Sequence, residues 1–268
     1  STSGALGKHI DLPVPLIIGL RTIIASGCIY VFCKWRNLDL KIQKKDRVKL
    51  LLSGILMGLH WITYFYALKL SNIAIGMISI FTFPIITSFL EPLILKVKFQ
   101  KIQLLFGFLV LSGICILVPD FDFKNDSSIA LILGILSAIL YSLRNILTKS
   151  FVDEYNGSSL MFYQLITIAI ILSPFCITST LAQISNQLPM LLILAIITTA
   201  IGHTLFVESL KKFSTTSVSI MSSTQPVYGI IIGILFLNEF PNSNAIVGGS
   251  LILLTVVFES FRAYKKAP

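Results

Sequence analysis

The hydrophobic pattern of this chain consists of nine long apolar runs separated by short polar connections. Each run has about 17–25 residues, the length that crosses the hydrocarbon core of a bilayer as an α-helix. Numbered 2 to 10, the runs cover about residues 14–32, 48–68, 73–95, 102–118, 129–147, 160–177, 190–209, 215–237 and 245–261. The short connections make consecutive helices antiparallel neighbours. The pattern predicts an all-α, polytopic membrane protein.

One stretch of the chain occurs twice. Residues 67–84 align without a gap with residues 209–226, displaced by 142 positions, and five pairs are identical, including Pro84 and Pro226. In each copy a hydrophobic segment ends in a basic turn, and the next segment carries the proline at the same depth. An internal repeat of this kind decides the architecture. We therefore predict two related halves, residues 1–119 and 120–268.

The first ten residues are too few to span a membrane, but they align with the end of segment 6. They are expected to be the end of a truncated helix 1, preceded in the natural protein by roughly 15–20 further residues. Each half then has five helices, ten in all. An odd number turns the second half upside down relative to the first, and secondary transporters are commonly built as such inverted repeats.

Composition and charge agree with a bilayer protein. The chain is 55% hydrophobic and 12% charged, with mean hydropathy +0.88, whereas a soluble domain has about 25% charged residues. The net charge of +9 is explained by basic cytoplasmic loops and not by nucleic acid. With the loop 34–49 inside, sixteen Lys and Arg residues are cytoplasmic and three, Lys8, Lys69 and Lys124, are outside. This bias predicts cytoplasmic termini in the cell inner (plasma) membrane.

Motifs of catalysis are absent from the sequence. It has no HExxH, no GxSxG and no phosphate-binding glycine loop. The four cysteines lie inside apolar runs without metal-ligand spacing, so they are expected to be small buried hydrophobes. The sequence therefore predicts no cofactor, no metal site and no enzyme. Its predicted partners are the bilayer and a small-molecule substrate, with the proton as a candidate coupling ion.

Polar groups at mid-depth mark helices 3 and 8. His60, beside Trp61 and Tyr64, lies about 12 residues or ~18 Å from the cytoplasmic end of helix 3. His203 and Phe206 lie at similar depth in helix 8, and His203 corresponds to Trp61 in the repeat. Ionisable groups inside a membrane are functional by default. We predict substrate or proton contacts here; the alternative is that each histidine only hydrogen-bonds a neighbouring helix.

Charged residues also occur inside the spans. Ser79, Phe83, Thr87 and Glu91 share one face of helix 4, and Arg144 of helix 6 lies at the depth of Glu91. The two charges could pair as a cytoplasmic gate or coupling site. The alternative is that both snorkel to the headgroups.

Arg21, two turns below the outer surface, is expected to snorkel as well. On helix 9, Ser223 and Gln225 precede Pro226, at the positions of aromatic residues in helix 4, so the cavity is expected to be polar on one side and aromatic on the other. The predicted substrate-binding set is His60, Trp61, Tyr64, Ser79, Phe83, Tyr141, Asn145, His203, Phe206, Ser223 and Gln225, with Glu91 and Arg144 as gate or coupling residues.

These motifs resemble the EamA-type family of the drug/metabolite transporter superfamily over essentially the whole chain. The resemblance rests on Ala67-Leu68…Pro84, on Ser209-Leu210…Pro226, on Leu237-Asn238-Glu239 and on glycine-rich helices 5 and 10. The first half departs from the pattern, because Val97 stands where Glu239 stands in the second half. The resemblance implies a ten-helix inverted-repeat carrier whose helices 1, 3, 4, 6, 8 and 9 line the substrate pocket.

The predicted function is a secondary transporter, an exporter of a small polar or amphipathic metabolite such as an amino acid. The resemblance also leaves open an exchanger of nucleotide sugars or phosphorylated metabolites. From a different class, an intramembrane enzyme using His60, His203, Glu91 and Glu208 is the alternative. Proton coupling and uncoupled facilitation are equally compatible with the sequence.

Overall fold

The computed structural model describes residues 2–70, 76, 79–117, 127–177, 184–228 and 243–265, and these contain helices and no strand. The Leu237-Asn238-Glu239 motif lies outside them. The helices are α1 (Thr2–His9), α2 (Val14–Trp35), α3 (Arg47–Leu70), α4 (Phe83–Leu95), α5 (Lys101–Leu117), α6 (Ser127–Lys149), α7 (Gly157–Ile177), α8 (Leu188–Ser209), α9 (Thr215–Ser222) and α10 (Ser243–Tyr264). Six of them, α2, α3, α6, α7, α8 and α10, are long and apolar enough to cross a membrane, which confirms the polytopic helical prediction.

The helices of segments 4 and 9 are interrupted, although each was predicted as one continuous run. The backbone turns at residues 81–82 before α4, and it turns at residues 223–224 between α9 and the helical residues 225–228. A shift of 142 residues, the displacement of the repeat, takes the turn at 81–82 onto the turn at 223–224. Pro84 lies in the first turn of α4, where a proline removes no helical hydrogen bond. Each segment breaks just before its repeat-related proline, which avoids the clash of a mid-helix proline with the preceding turn, whereas Pro92 of α4 and Pro174 of α7 lie inside their helices.

At both interruptions a threonine hydroxyl donates a hydrogen bond to a backbone carbonyl of the preceding turn. Thr82 donates to the carbonyl of Ser79 at 2.7 Å, and its repeat counterpart Thr224 donates to the carbonyl of Met221 at 3.0 Å. Inside a membrane such carbonyls have no water to bind, and threonine side chains commonly take its place. The breaks are therefore stable features at equivalent places in the two copies.

Two hydrophobic cores hold the described helices together. The first is built mainly from α2, α3, α7 and α8, and the second mainly from α4, α5, α6, α9 and α10. Each core combines helices from both sequence halves: α2 packs on α7, and α5 packs on α10. The packing units are therefore not the sequence halves. Tyr64 and Phe206 pack against both cores. All four cysteines are free thiols; Cys33 is buried and the other three are half-buried.

The connections after α2, α4, α6 and α8 meet at one end of the molecule, called here the basic end. The Tyr155 hydroxyl donates to Asp46 at 2.7 Å, which joins the α6–α7 connection to the α2–α3 connection. Arg262 of α10 donates to Gln100 between α4 and α5 at 2.5 Å. Lys69, at the opposite end, donates to carbonyls that follow α1 at 3.1 and 2.6 Å. The antiparallel helices thus gather most loop cations at one end, and which membrane side it faces stays a prediction.

Candidate functional site

An aromatic cluster occupies the contact between the two cores. Tyr141 of α6 lies at its centre, with its ring centroid 4.4 Å from His60, 5.1 Å from Phe83 and 5.8 Å from Phe206. Tyr141, Trp61 and Phe83 are buried, whereas Tyr64, His203 and Phe206 are partly exposed. Seven of the predicted substrate-binding residues meet here. The aromatic cluster consists of His60, Trp61, Tyr64, Phe83, Tyr141, His203 and Phe206.

His60 bridges α3 to α6 through Ser137. The Ser137 hydroxyl donates to the His60 carbonyl at 2.8 Å, so its oxygen accepts from the imidazole Nδ1 at 2.7 Å. Nδ1 also lies 3.1 Å from the Ser137 carbonyl, which can only accept. Nδ1 therefore carries a proton, which leaves Nε2 as the nitrogen that can exchange one. The helix-bridging interaction that was the alternative for His60 is present, and it orients the ring within the aromatic cluster.

The repeat-related residues Trp61 and His203 contact each other. Their ring centroids lie 5.2 Å apart at an interplanar angle of 69°. His203 ends a π-helical stretch of α8, Leu194–His203, in which the Thr199 hydroxyl donates to the carbonyl of Leu194. π-Helical turns are rare and are frequent at functional sites. The wider turn sets the rotation of His203 relative to the aromatic cluster, a feature that hydropathy cannot reveal.

Arg21 is fully buried, so the prediction that it snorkels is wrong. Its guanidinium carbon lies 3.9 Å above the ring of Trp61. Nε donates to the Thr199 hydroxyl at 2.5 Å, and Nη2 lies 3.5 Å from Thr198. The cation–π contact explains the position, because a tryptophan face and a guanidinium attract strongly when both are desolvated. Arg21 thus borders the aromatic cluster at Trp61.

Arg144 is also fully buried, on the α6–α7 interface. Its Nε and Nη2 donate to Gln164 Oε1, the former at 3.0 Å, and its Nη1 donates to Asn145 at 2.9 Å. Gln164 in turn donates to Ser53 at 2.9 Å and to Thr148 at 3.0 Å. The oxygen acceptors of this guanidinium are therefore uncharged amide oxygens, those of Gln164 and Asn145. The predicted pair with Glu91 and the snorkelling alternative are both wrong.

Glu91 binds the N-terminus of α9 instead. Its two oxygens accept from the backbone N–H groups of Thr215 at 2.6 Å and Thr216 at 2.8 Å, and from the Thr216 hydroxyl at 2.5 Å. The first N–H groups of a helix lack partners within the helix, and its dipole favours a negative charge there. With 4% of its surface exposed, Glu91 does not snorkel. It fixes α9 to α4 near the basic end.

A second buried carboxylate, Glu259 of α10, binds the N-terminal turn of α9. It accepts from Arg262 in two bonds of 2.7 Å, from Ser217 at 2.6 Å and from Gln103 at 3.1 Å. Sequence reasoning missed Glu259, although an acid inside an apolar run is itself a signal. The α9 clamp, defined as Glu91, Gln103, Glu259 and Arg262, holds the start of α9 against α4, α5 and α10.

The remaining predicted residues are Ser79, Asn145, Ser223 and Gln225, and none of them contributes a ring to the aromatic cluster. Ser79 and Ser223 are buried and donate to carbonyls of their own turns at 3.0 and 3.2 Å. Gln225 is exposed, and no contact recorded for the described residues joins it to the cluster. Asn145 accepts from Arg144 at 2.9 Å, and its side chain also interacts with the Tyr141 hydroxyl, so it connects the Arg144 network to the aromatic cluster. The predicted contrast between a polar helix 9 and an aromatic helix 4 therefore does not describe this cluster, whose rings come from α3, α4, α6 and α8.

Similarity to known proteins decides the family. The profile of the EamA-like transporter family matches residues 1–118 and 128–261. The chain belongs to this family. The protein is therefore a membrane transporter of the drug/metabolite type.

Among the proteins similar to this chain, the Pseudopaline exporter CntI of Pseudomonas aeruginosa (strain UCBPP-PA14) is 23% identical over 265 residues, which cover 96% of this chain and 90% of that protein. The S-adenosylmethionine uptake transporter of Rickettsia conorii (strain ATCC VR-613 / Malish 7) is 24% identical over 214 residues, 78% of this chain and 70% of that protein. A solved crystal structure superposes with a TM-score of 0.81 at 15% identity, covering 98% of this chain and 96% of that one. The latter likeness establishes the fold alone.

Proposed function

We propose that this protein is a secondary transporter that exports a small polar or amphipathic metabolite, such as an amino acid, by alternating access between two inverted five-helix halves. The observation that carries the proposal is the position of the aromatic cluster. Tyr64 and Phe206 pack against both hydrophobic cores, so the cluster lies where two packed bodies meet, each of which combines helices from both inverted halves. A site at such a junction is exposed to one side or the other as the bodies rock.

Repeat-related geometry supports the inverted architecture. The interruptions at 81–82 and 223–224 are equivalent in the two copies, and discontinuous helices at corresponding positions commonly form the substrate site of such carriers. Trp61 and His203 are equivalent as well and contact each other. These observations support one central site between the two copies. Our proposal keeps the division near residues 119–120, and the excess of cations in the connecting loops supports cytoplasmic termini.

The aromatic rings and the two imidazoles of the aromatic cluster favour binding of an amphipathic solute. Aromatic faces bind apolar groups and cations, and the Nε2 of His60 can exchange a proton or a hydrogen bond. The relatives include a protein named as an exporter and another named as an uptake transporter. The proposed direction, export, is the one named for the first of these relatives.

Transport in reconstituted vesicles tests the proposal. Purified protein would be placed in liposomes loaded with one radiolabelled L-amino acid at a time, and efflux would be followed with and without an imposed pH gradient. We expect efflux of at least one amino acid above that of empty liposomes, and a strong reduction by Tyr141→Ala. If no amino acid moves, the proposed solute class is rejected; if efflux ignores the pH gradient, proton coupling is rejected.

A further inference from the structure

Arg21 is the buried cation that the fold leaves incompletely bound. Its Nε and Nη2 reach threonine hydroxyls of α8, and Trp61 covers one face. Its Nη1 has no hydrogen-bond partner, although the side chain has no exposed surface. A buried donor without an acceptor costs the full desolvation energy of that group. Arg21 therefore offers an N–H group that is ready for an acceptor.

The charge of Arg21 is uncompensated as well. The buried acidic residues of the described chain are Asp46, Glu91 and Glu259. Each is engaged near the basic end, by Tyr155, by the start of α9 and by Arg262 respectively. None of the ion pairs found among the described residues includes Arg21. A lone buried charge is strongly unfavourable unless a partner neutralises it.

We propose that Arg21 binds the carboxylate of the transported solute. This inference rests on the proposed function, since it names the chemical group that the aromatic cluster receives. The solute supplies both the missing acceptor for Nη1 and the missing negative charge. A guanidinium suits a planar carboxylate because its N–H groups match the two oxygens.

The surrounding charges favour a carboxylate over a phosphate. A phosphate site usually brings together several cations, and the other buried arginine of the membrane region, Arg144, already donates to Gln164 and Asn145 from its nitrogens. One unpartnered nitrogen, Nη1, on one cation fits a singly charged acid. An ammonium group on the same solute would find the aromatic faces of Tyr64 and Tyr141. A zwitterionic amino acid therefore meets both requirements.

Trp61 provides a direct optical test. The chain has two tryptophans, and Trp35 is exposed at the end of α2, so Trp35→Phe leaves Trp61 as the single reporter. Purified Trp35→Phe protein would be titrated with each L-amino acid, with the matching amino-acid amide and with glycerol phosphate. We expect at least one acid to change Trp61 emission and raise Tm, and its amide to bind on the order of 100-fold more weakly, because removing one charge of a buried pair costs that much.

Three variants complete the design. Arg21→Gln should weaken binding of the acid on the order of 100-fold, and Arg21→Lys should retain part of the affinity because the charge remains. Arg36→Gln, which removes an exposed arginine near Trp35, should bind like the parent. If the Arg21 variants do not fold, the acid and amide titrations of the Trp35→Phe protein still decide the inference.

The outcomes separate this inference from the proposed function. The carboxylate assignment would be overturned by equal binding of acid and amide, by unchanged acid binding in Arg21→Gln, or by preference for glycerol phosphate. In any of these cases, transport of a polar solute in vesicles would still support the proposed function. Failure of every acid and amide to bind, together with no transport in vesicles, would overturn both.

Discussion

Trp61 and His203 occupy equivalent positions in the two copies of the internal repeat, and their rings lie 5.2 Å apart in an edge-to-face contact. In the proposed inverted repeat, equivalent residues can meet only close to the pseudo-two-fold axis that would relate the copies. The pair therefore marks the region where the copies converge, and Arg21 and Tyr141 border it on either side.

His203→Phe tests the role of the imidazole in this contact. A phenyl ring preserves the edge-to-face packing but cannot carry a proton, so we expect transport in vesicles to continue and to lose its response to an imposed pH gradient. His9→Phe, at the end of α1 and away from the aromatic cluster, is the matched control and should retain the response. A pH response that survives in His203→Phe would remove this residue from the coupling pathway.

Glu91→Gln tests the carboxylate that caps α9. The substitution removes the negative charge and turns an N–H donor toward backbone N–H groups, so the free energy of unfolding should fall by about 2 kcal/mol. Thermal unfolding in detergent would measure it. Thr216→Val deletes a single one of the three hydrogen bonds and should cost less.

The double exchange Glu91→Arg with Arg144→Glu extends this test. An ion pair would be restored by exchanging its partners, but the two side chains bind different helices. We therefore expect the double variant to be at least as unstable as either single variant. Recovery of stability in the double variant would contradict the partners found in the structure.

Gln164→Leu tests the neutral shell of Arg144. The leucine leaves a buried guanidinium without its main acceptor, which should cost about 2–3 kcal/mol. Arg144→Met in the same background removes the charge that needs the acceptor, so the double variant should be more stable than the sum of the single effects predicts. A double-variant cycle of thermal unfolding measures the coupling, and additive effects would show that the two side chains act independently.

Ser137→Ala tests the orientation of His60. The variant loses the hydroxyl that bonds both Nδ1 and the His60 carbonyl, and we expect a loss of about 1–2 kcal/mol together with weaker solute binding. Ser53→Ala serves as the control, since it also deletes a buried hydroxyl of an α3 contact but lies in the Arg144 network. Equal effects of both on solute binding would assign Ser137 a purely structural role.

The sequence by itself determined the membrane class, most of the spans, the repeat and the excess of loop cations. These properties can be read from the sequence directly. A membrane span is recognised from enough consecutive apolar residues, and a repeat is recognised by aligning two stretches of the sequence. Depth along a helix can be read directly as well, because each residue adds a fixed rise. This is why His60, Trp61 and His203 were expected at matching depths, and Trp61 and His203 do contact each other.

Tertiary structure alone decided which polar groups pair. Arg21 stacks on Trp61, Glu91 caps α9, and Arg144 binds Gln164, whereas the sequence suggested snorkelling or an ion pair. The breaks before Pro84 and Pro226 and the π-helical turn of α8 likewise set rotations that hydropathy does not encode. A helix that is apolar on nearly every side carries little signal about the face it turns to its neighbours. Partner choice therefore depends on helix rotation and packing, which exist only in the folded protein.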